Sequence, residues 1–202
     1  MTRRDARPRR RLDPQERREA LLAAAADVFA GQGYAAATMG AVAAAADASE
    51  ALVYRYFAGK DELYAAVLAR EVDALVAAEA RALSALHPGV PVRDRVRAVV
   101  LTRLDRAAVD PDAWLRHVRH PAAEPVAAGV VRARAHAERV ARVGALLVPR
   151  ADARHAYAVA GWLAFVDAAC ERWAGQGCPP DDRWPVVEAC LGALEGALGD
   201  WG

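Results

Sequence analysis

Eight arginines, Arg3, Arg4, Arg7, Arg9, Arg10, Arg11, Arg17 and Arg18, crowd the start of a 202-residue chain whose formal net charge is only +1. Asp5, Asp13 and Glu16 are the acids set against them there. A basic stretch on a near-neutral chain suits a localised anionic partner, or else a solvated, disordered arm. Other reactive side chains point less sharply. His117 and His120 are spaced to share a metal, but the rest of a ligand set is missing and no metal site is expected. His136 with Glu138, and Asp167 with Glu171, could pair, as charges on solvated helix faces routinely do. Cys170, Cys178 and Cys190 are odd in number and show no CxxC spacing, which fits reduced thiols packed as small hydrophobes. No Walker loop, GxSxG, HExxH or glycine-rich dinucleotide fingerprint is present, so neither an enzyme nor a cofactor is expected.

The elements that must position these groups read as helices throughout. Hydrophobic residues make up 55% of the chain, with an unusual share of alanine, the strongest helix former. Leu12-Asp13-Pro14-Gln15-Glu16 marks a helix start, with Asp13 as cap, Pro14 in the first turn and Glu16 able to reach back to the cap amide. Leu21, Leu22, Ala25, Val28 and Phe29 then recur on one face, and Gly31 and Gly33 end the run. Thr38 caps a short second helix to about Ala45, burying Met39, Val42 and Ala46. Ser49 caps a third to Tyr56 or Phe57. A fourth begins near Gly59 or Lys60, carries Leu63, Val67, Leu68, Val72, Leu75 and Val76, and stops before His87-Pro88-Gly89-Val90-Pro91. Further helices are expected over about Arg93–Ala108, from Asp110-Pro111 to before Pro121, and over about Glu124–Val148, Asp152–Ala174 and Asp182–Leu198. Alternating strand patterns and hairpin turns are absent. The fold class is all-α.

Two short helices joined by a tight turn, the second capped by Ser49, form an arrangement that can lay a recognition helix in the DNA major groove. The residues go beyond that spacing. The alanines before Phe29, Gly33-Tyr34, Thr38, the Val42–Ala46 stretch, Ser49, Tyr54 to Phe57 and Lys60-Asp61-Glu62-Leu63 together resemble the TetR family of bacterial regulators, from Leu21 to Leu68. Asp47 stands where that family usually has glycine, and aspartate is among the few residues that tolerate the left-handed backbone such a turn needs. Ala51 also replaces a frequent glycine, which should only firm the helix.

The resemblance implies a three-helix DNA-binding domain over 13–60, with its motif at about 38–57, behind a basic arm over 1–12. A larger helical domain over 61–202 would follow, regulatory and dimeric. It implies phosphate contacts from Thr38, Ser49, Tyr54, Tyr56 and Lys60, which fix register without reading sequence. Glu50, Ala51, Leu52 and Arg55 become the candidates for the groove: Arg55 for guanine, Glu50 for a cytosine amine, Ala51 and Leu52 for thymine methyls. The arm would track the backbone or an adjacent minor groove. Neutralising Arg9, Arg10 and Arg11 together is expected to weaken binding to all DNA and to flatten its salt dependence. An unchanged slope in a salt titration would mark the arm as a tail.

The C-terminal length then calls for a homodimer, since one recognition helix makes too few contacts for specific affinity. The last two helices are the candidates. Ala189, Gly192, Ala193 and Gly196 allow close approach, Leu191, Leu194 and Leu198 add bulk, and Trp162, Leu163, Phe165 and Val166 do the same on the helix before. A small-molecule pocket is expected around Trp114, His117, Trp162 and Phe165, with His120 nearby. The expected function is a repressor that binds a palindromic operator and is released by its ligand, with the fourth helix as the lever. The competing reading is a sequence-tolerant dimeric DNA-binding or structural protein with no ligand response. No long apolar run and no signal sequence appear, which fits a cytoplasmic protein without a membrane partner.

Overall fold

A computed structural model describes residues 13–118, 124–147 and 152–199, leaving out the side chains of Ala113, Arg116, His117 and Val118. The basic arm and His120 therefore lie outside the described residues. Within them every regular element is helical: α1 (Pro14–Ala36), α2 (Met39–Ala45), α3 (Glu50–Tyr56), α4 (Lys60–Ser84), α5 (Val92–Val109), α6 (Pro111–Val118), α7 (Val126–Leu146), α8 (Ala153–Gly175) and α9 (Arg183–Leu198), with a 3-10 turn at Pro180–Asp182. No helix among the described residues is long and apolar enough to cross a membrane. The chain forms two compact units, dividing between Val67 and Leu68.

Local chemistry accounts for the first unit. Asp13 and Glu16 form the reciprocal capping box at the start of α1, Glu16 N donating to Asp13 at 2.8 Å and Asp13 N to Glu16 at 3.1 Å. Regular helix geometry breaks at Gly33, whose φ of 73° lies in the left-handed region. A last turn follows to Ala36, closed by Ala37 N–H donating to Gly33 O at 3.2 Å. Leu21, Leu22, Ala25, Val28 and Phe29 of α1 pack with Met39 and Val42 of α2, Val53 and Phe57 of the α3 segment, and Leu63 and Val67 of α4. The last two residues draw the first two turns of α4 into this unit. Arg18 adds a guanidinium 5.1 Å from the centre of the Phe57 ring.

The turn between α2 and α3 places Asp47 at φ 48°. A left-handed backbone costs a residue with a Cβ roughly 1–2 kcal/mol, while glycine adopts it freely at some cost in unfolded-chain entropy. Asp47→Gly is therefore expected to stabilise the first unit by about 0.5–1 kcal/mol, and Asp47→Val to destabilise it by about 1 kcal/mol or more. Urea denaturation of both variants measures the difference. Equal midpoints would show that the turn stores no strain.

The second unit has its own core. Val96, Val100, Leu104 and Ala107 on α5 meet Trp114 on α6, Val143 on α7, Val159, Leu163, Val166 and Trp173 on α8, and Val187, Leu191 and Leu194 on α9. Two indoles are tied by hydrogen bonds: Trp162 donates to Cys190 O at 2.7 Å and Trp173 to Pro179 O at 3.0 Å. Cys170 and Cys190 are buried free thiols. Burial pushes them up to about 11 and about 12, so both stay protonated at neutral pH.

Candidate nucleic-acid interface and ligand cavity

Helix α3 is amphipathic over two turns. Val53 is fully buried and Phe57, just past the helix, is 1% exposed. These two anchors hold the opposite face outward: Ser49, Glu50, Ala51 and Arg55 are exposed and Tyr54 is 49% exposed, with Leu52 and Tyr56 half-buried. Ser49 Oγ accepts from Leu52 N at 3.2 Å and Thr38 Oγ1 from Ala41 N at 3.1 Å. Both hydroxyls thus cap their helices while remaining exposed. Ala48 N donates to Ala43 O at 2.9 Å, closing the turn. The Arg55 guanidinium lies 5.5 Å from the centre of the Tyr56 ring.

Two residues sit differently from a simple outward display. The Glu50 carboxylate turns back towards α2, its Oε2 3.4 Å from where a Cβ on Gly40 would stand. There it complements the partial positive charge of the α2 start. Lys60 Nζ donates to Tyr34 O at 2.9 Å and Ala35 O at 3.2 Å, and lies 4.5 Å from the Tyr34 ring centre. An ammonium has three donors, so Lys60 ties down the end of α1 and keeps one donor for an outside partner. Tyr34 in turn donates its hydroxyl to Asp61, and that bond, followed by burial, pushes the phenol up to about 12. Tyr34 also packs against Tyr64 at 5.0 Å between ring centres, as Phe29 does. Glu62 accepts from Ala58 N at 2.7 Å and so caps the start of α4.

A cavity of about 390 Å³ opens in the second unit. Its apolar wall is Val72, Leu75 and Val76 of α4, with Ala135 of α7 and Ala164 and Ala168 of α8. Its polar wall carries Glu79, Arg103, Arg139, Arg142 and Asp167, flanked by Arg132, His136 and Glu171. Arg103 is 3% exposed and Glu79 is 6% exposed. Arg103 donates to Glu79 at 3.2 Å and to Asp167 at 2.6 Å. Arg139 grips the same Asp167 through both nitrogens, at 2.9 and 3.0 Å. Arg142 stands 3.9 Å from the other oxygen of Glu79. Arg132 is bound to Glu124 at 2.6 Å. Burial would raise the Asp167 carboxyl, but Arg103 and Arg139 outweigh it and hold it below the usual carboxylate range.

Residues 21–67, the segment that builds the capped helix pair and its supports, match the family model for bacterial regulatory proteins of the tetR family. Over that segment the chain is similar to the tetR family. The HTH-type transcriptional activator FasR of Mycolicibacterium smegmatis is 44% identical over 90 residues, a match that takes in 45% of this chain and 40% of that protein. A TetR-like transcriptional regulator from Rhodococcus sp. RHA1 superposes with a TM-score of 0.72 at 26% identity, covering 94% of this chain and all of that one (100%). The fold is shared as well with FadR of Bacillus subtilis, solved in complex with stearoyl-CoA, at a TM-score of 0.64 and 13% identity over 90% of this chain and 97% of that one.

The residues expected around a ligand are dispersed. Trp114 is buried in the core, and the Arg103 guanidinium lies 5.4 Å from its ring centre. Trp162 is core, Phe165 is 42% exposed, and the His117 side chain lies outside the described residues. Neither Trp114, Trp162 nor Phe165 lines the cavity. Asp167, which reads in the sequence as one more charge on a solvated helix face, is an anchor of the buried ion chain. A signal for that chain was present. Arg103 interrupts the inward stripe of Val96, Val99, Val100, Leu104 and Ala107, and a charge within an apolar stripe must find a partner inside.

Proposed function

We propose that this chain is a one-component transcription regulator of the TetR family that binds a palindromic operator as a homodimer and answers a small molecule. The observation that carries the reading is the orientation of α3. Buried Val53 and Phe57 turn Ala51, Tyr54 and Arg55 outward on a helix short enough to enter a major groove, next to capped helix starts suited to phosphate. Arg55 reads a base edge, with Ala51 and Leu52 against thymine methyls. Thr38, Ser49, Tyr54, Tyr56 and the remaining donor of Lys60 take phosphates. Glu50, drawn back to α2, shapes the surface and is poorly placed for a base.

The exposed small residues support dimerisation through α8 and α9. Gly161 and Phe165 on α8, and Ala189, Gly192 and Gly196 on α9, are exposed. Trp162, Leu163, Val166, Leu191, Leu194 and Leu198, read in the sequence as interface bulk, are buried within the unit itself. A second copy would therefore meet small residues beside Phe165, with Tyr157 and Trp184 also exposed on the same two helices.

Ligand control would run through α4, one helix from Lys60 to Ser84. Leu63 and Val67 belong to the first core, while Val72, Leu75, Val76 and Glu79 line the cavity. A ligand favouring one setting of that helix changes operator affinity by its differential affinity for the two settings. The favoured outcome is a repressor released by ligand. The FasR match favours a second reading, activation, and a reporter fused to the bound promoter decides the sign. Selection of bound sites from random DNA tests the whole proposal. The expected product is a palindrome with half-sites about 34–36 Å apart, lost or strengthened with one member of a metabolite panel. Uniform recovery of unrelated sequences would leave a sequence-tolerant DNA-binding protein instead.

A further inference from the structure

The geometry points to a small amphiphilic carboxylic acid as the ligand of the α4–α5–α7–α8 cavity, its carboxylate held by Arg103 and Arg142 and its hydrocarbon body laid against Val72, Leu75 and Val76. The inference rests on the ligand-responsive reading above and narrows it to a chemical class.

Three guanidiniums, of Arg103, Arg139 and Arg142, share two carboxylates, of Glu79 and Asp167. Asp167 is saturated, accepting from Arg103 and from both nitrogens of Arg139. Glu79 is not, because its contact with Arg142 at 3.9 Å is beyond hydrogen-bond reach. Two buried donor atoms are left without an acceptor, Arg103 Nε and Arg142 Nη2, and both residues line the cavity. Leaving a buried charged donor unsatisfied is costly, and a well-packed apolar group would serve stability as well as a buried ion chain does. Retaining both donors beside an open space makes sense where a guest supplies the acceptor. A carboxylate fits this role. It brings two oxygens for two donor atoms. A guanidinium bound to it gains a charge-assisted bond of roughly twice the neutral strength.

The apolar part of the lining sets the rest of the molecule. Valine and leucine from α4, with alanines from α7 and α8, offer no hydrogen-bonding side chain, so only hydrocarbon lies well against them. About 390 Å³ is at the low end of small-molecule sites, which favours a body of modest length over a long chain. Ala135 and Ala164 mark where added bulk would close the space.

Calorimetric titration of the full chain with hexanoate, octanoate and decanoate, beside octanamide and octan-1-ol, tests the assignment. Octanoate should bind at least tenfold more tightly than its amide or alcohol, with an optimum in chain length. In Arg142→Gln the preference for acid over amide should shrink at least tenfold, whereas a purely structural Arg142 would weaken acid and amide alike. Ala135→Leu, which leaves the ion chain intact, should abolish binding of all of them. Equal affinity for acid and amide, parallel losses in Arg142→Gln, or no heat from any acid at millimolar concentration would each overturn the carboxylate assignment. Site selection on the same preparation separates the two levels. A palindrome recovered without acid binding sinks only the ligand class, and acid binding without any selected site sinks the regulator reading.

Discussion

Replacing Arg103 with leucine is expected to lower the unfolding free energy of the second unit by about 3–5 kcal/mol, the cost of removing one partner from a buried ion pair. The side chain is almost wholly enclosed and serves two carboxylates, Glu79 and Asp167. Its loss leaves Glu79 buried with Arg142 3.9 Å away. Asp167 keeps Arg139 but loses the nearer of its charges. Leucine recovers part of the packing but none of the compensation. The double variant Arg103→Leu with Glu79→Leu should therefore regain more than half of the loss, because it removes the stranded charge along with its partner. Chemical denaturation followed by tryptophan fluorescence reads both, with Trp162 and Trp173 in the same core. The effect also has a pH sign. Asp167 is held below its ordinary range in the folded chain, so its contribution is present at neutral pH and fades as pH falls through the carboxylate range. A single variant within 1 kcal/mol of the parent would mean the ion chain contributes little to stability.

The second large effect concerns DNA. Arg55→Ala should cost roughly 1–3 kcal/mol at each half-site if its guanidinium reads a guanine edge, or roughly 2–6 kcal/mol for a dimer on two half-sites. The loss should be selective: one position in each half-site relaxes while the rest of the palindrome survives. Stability should hardly change, since Arg55 is exposed and its recorded neighbour is the Tyr56 ring. Lys60→Gln offers a contrast. It should weaken all sequences to a similar degree and also loosen the end of α1, because the ammonium is bonded to Tyr34 O and Ala35 O. Site selection and binding titrations with both variants distinguish the roles. An Arg55→Ala protein that keeps both its affinity and its preferred sequence would remove Arg55 from the list of base readers.

Much of the first unit was legible residue by residue. Asp13 and Glu16 announced a capping box, Asp47 a left-handed turn and Ser49 the start of α3, and each stands where its chemistry required. Gly31 and Gly33 read as the end of α1, whereas the helix breaks at Gly33 and takes one more turn to Ala36. These are local decisions, settled by groups within about four residues of one another. The outward residues of α3 came from the family resemblance, and the structure gives the reason: a helix that buries Val53 and Phe57 has to show Tyr54 and Arg55. Less local features escaped. Glu50 reads as an outward acid near the groove, but α2 lies close enough to draw its carboxylate back towards Gly40. Lys60 reads as a phosphate contact, and its ammonium also closes α1 carbonyls 25 and 26 residues away. In the second unit aromatic residues drew attention to Trp114, Trp162 and Phe165, because large rings line pockets as readily as cores. Packing spent the first two on the core and left the third outside.

The amino-acid order alone determined that this chain is helical and where most of its helices begin and end. Periodicity, caps and left-handed positions act over a turn or two and carry their own energetic preference. Only the tertiary structure decided which charges meet. Arg103 had to find acids somewhere, but its partners lie 24 and 64 residues away on α4 and α8. No local preference selects one carboxylate over another at such separations. The packing of four helices does, and the space they leave unfilled beside those charges is likewise a property of the packing.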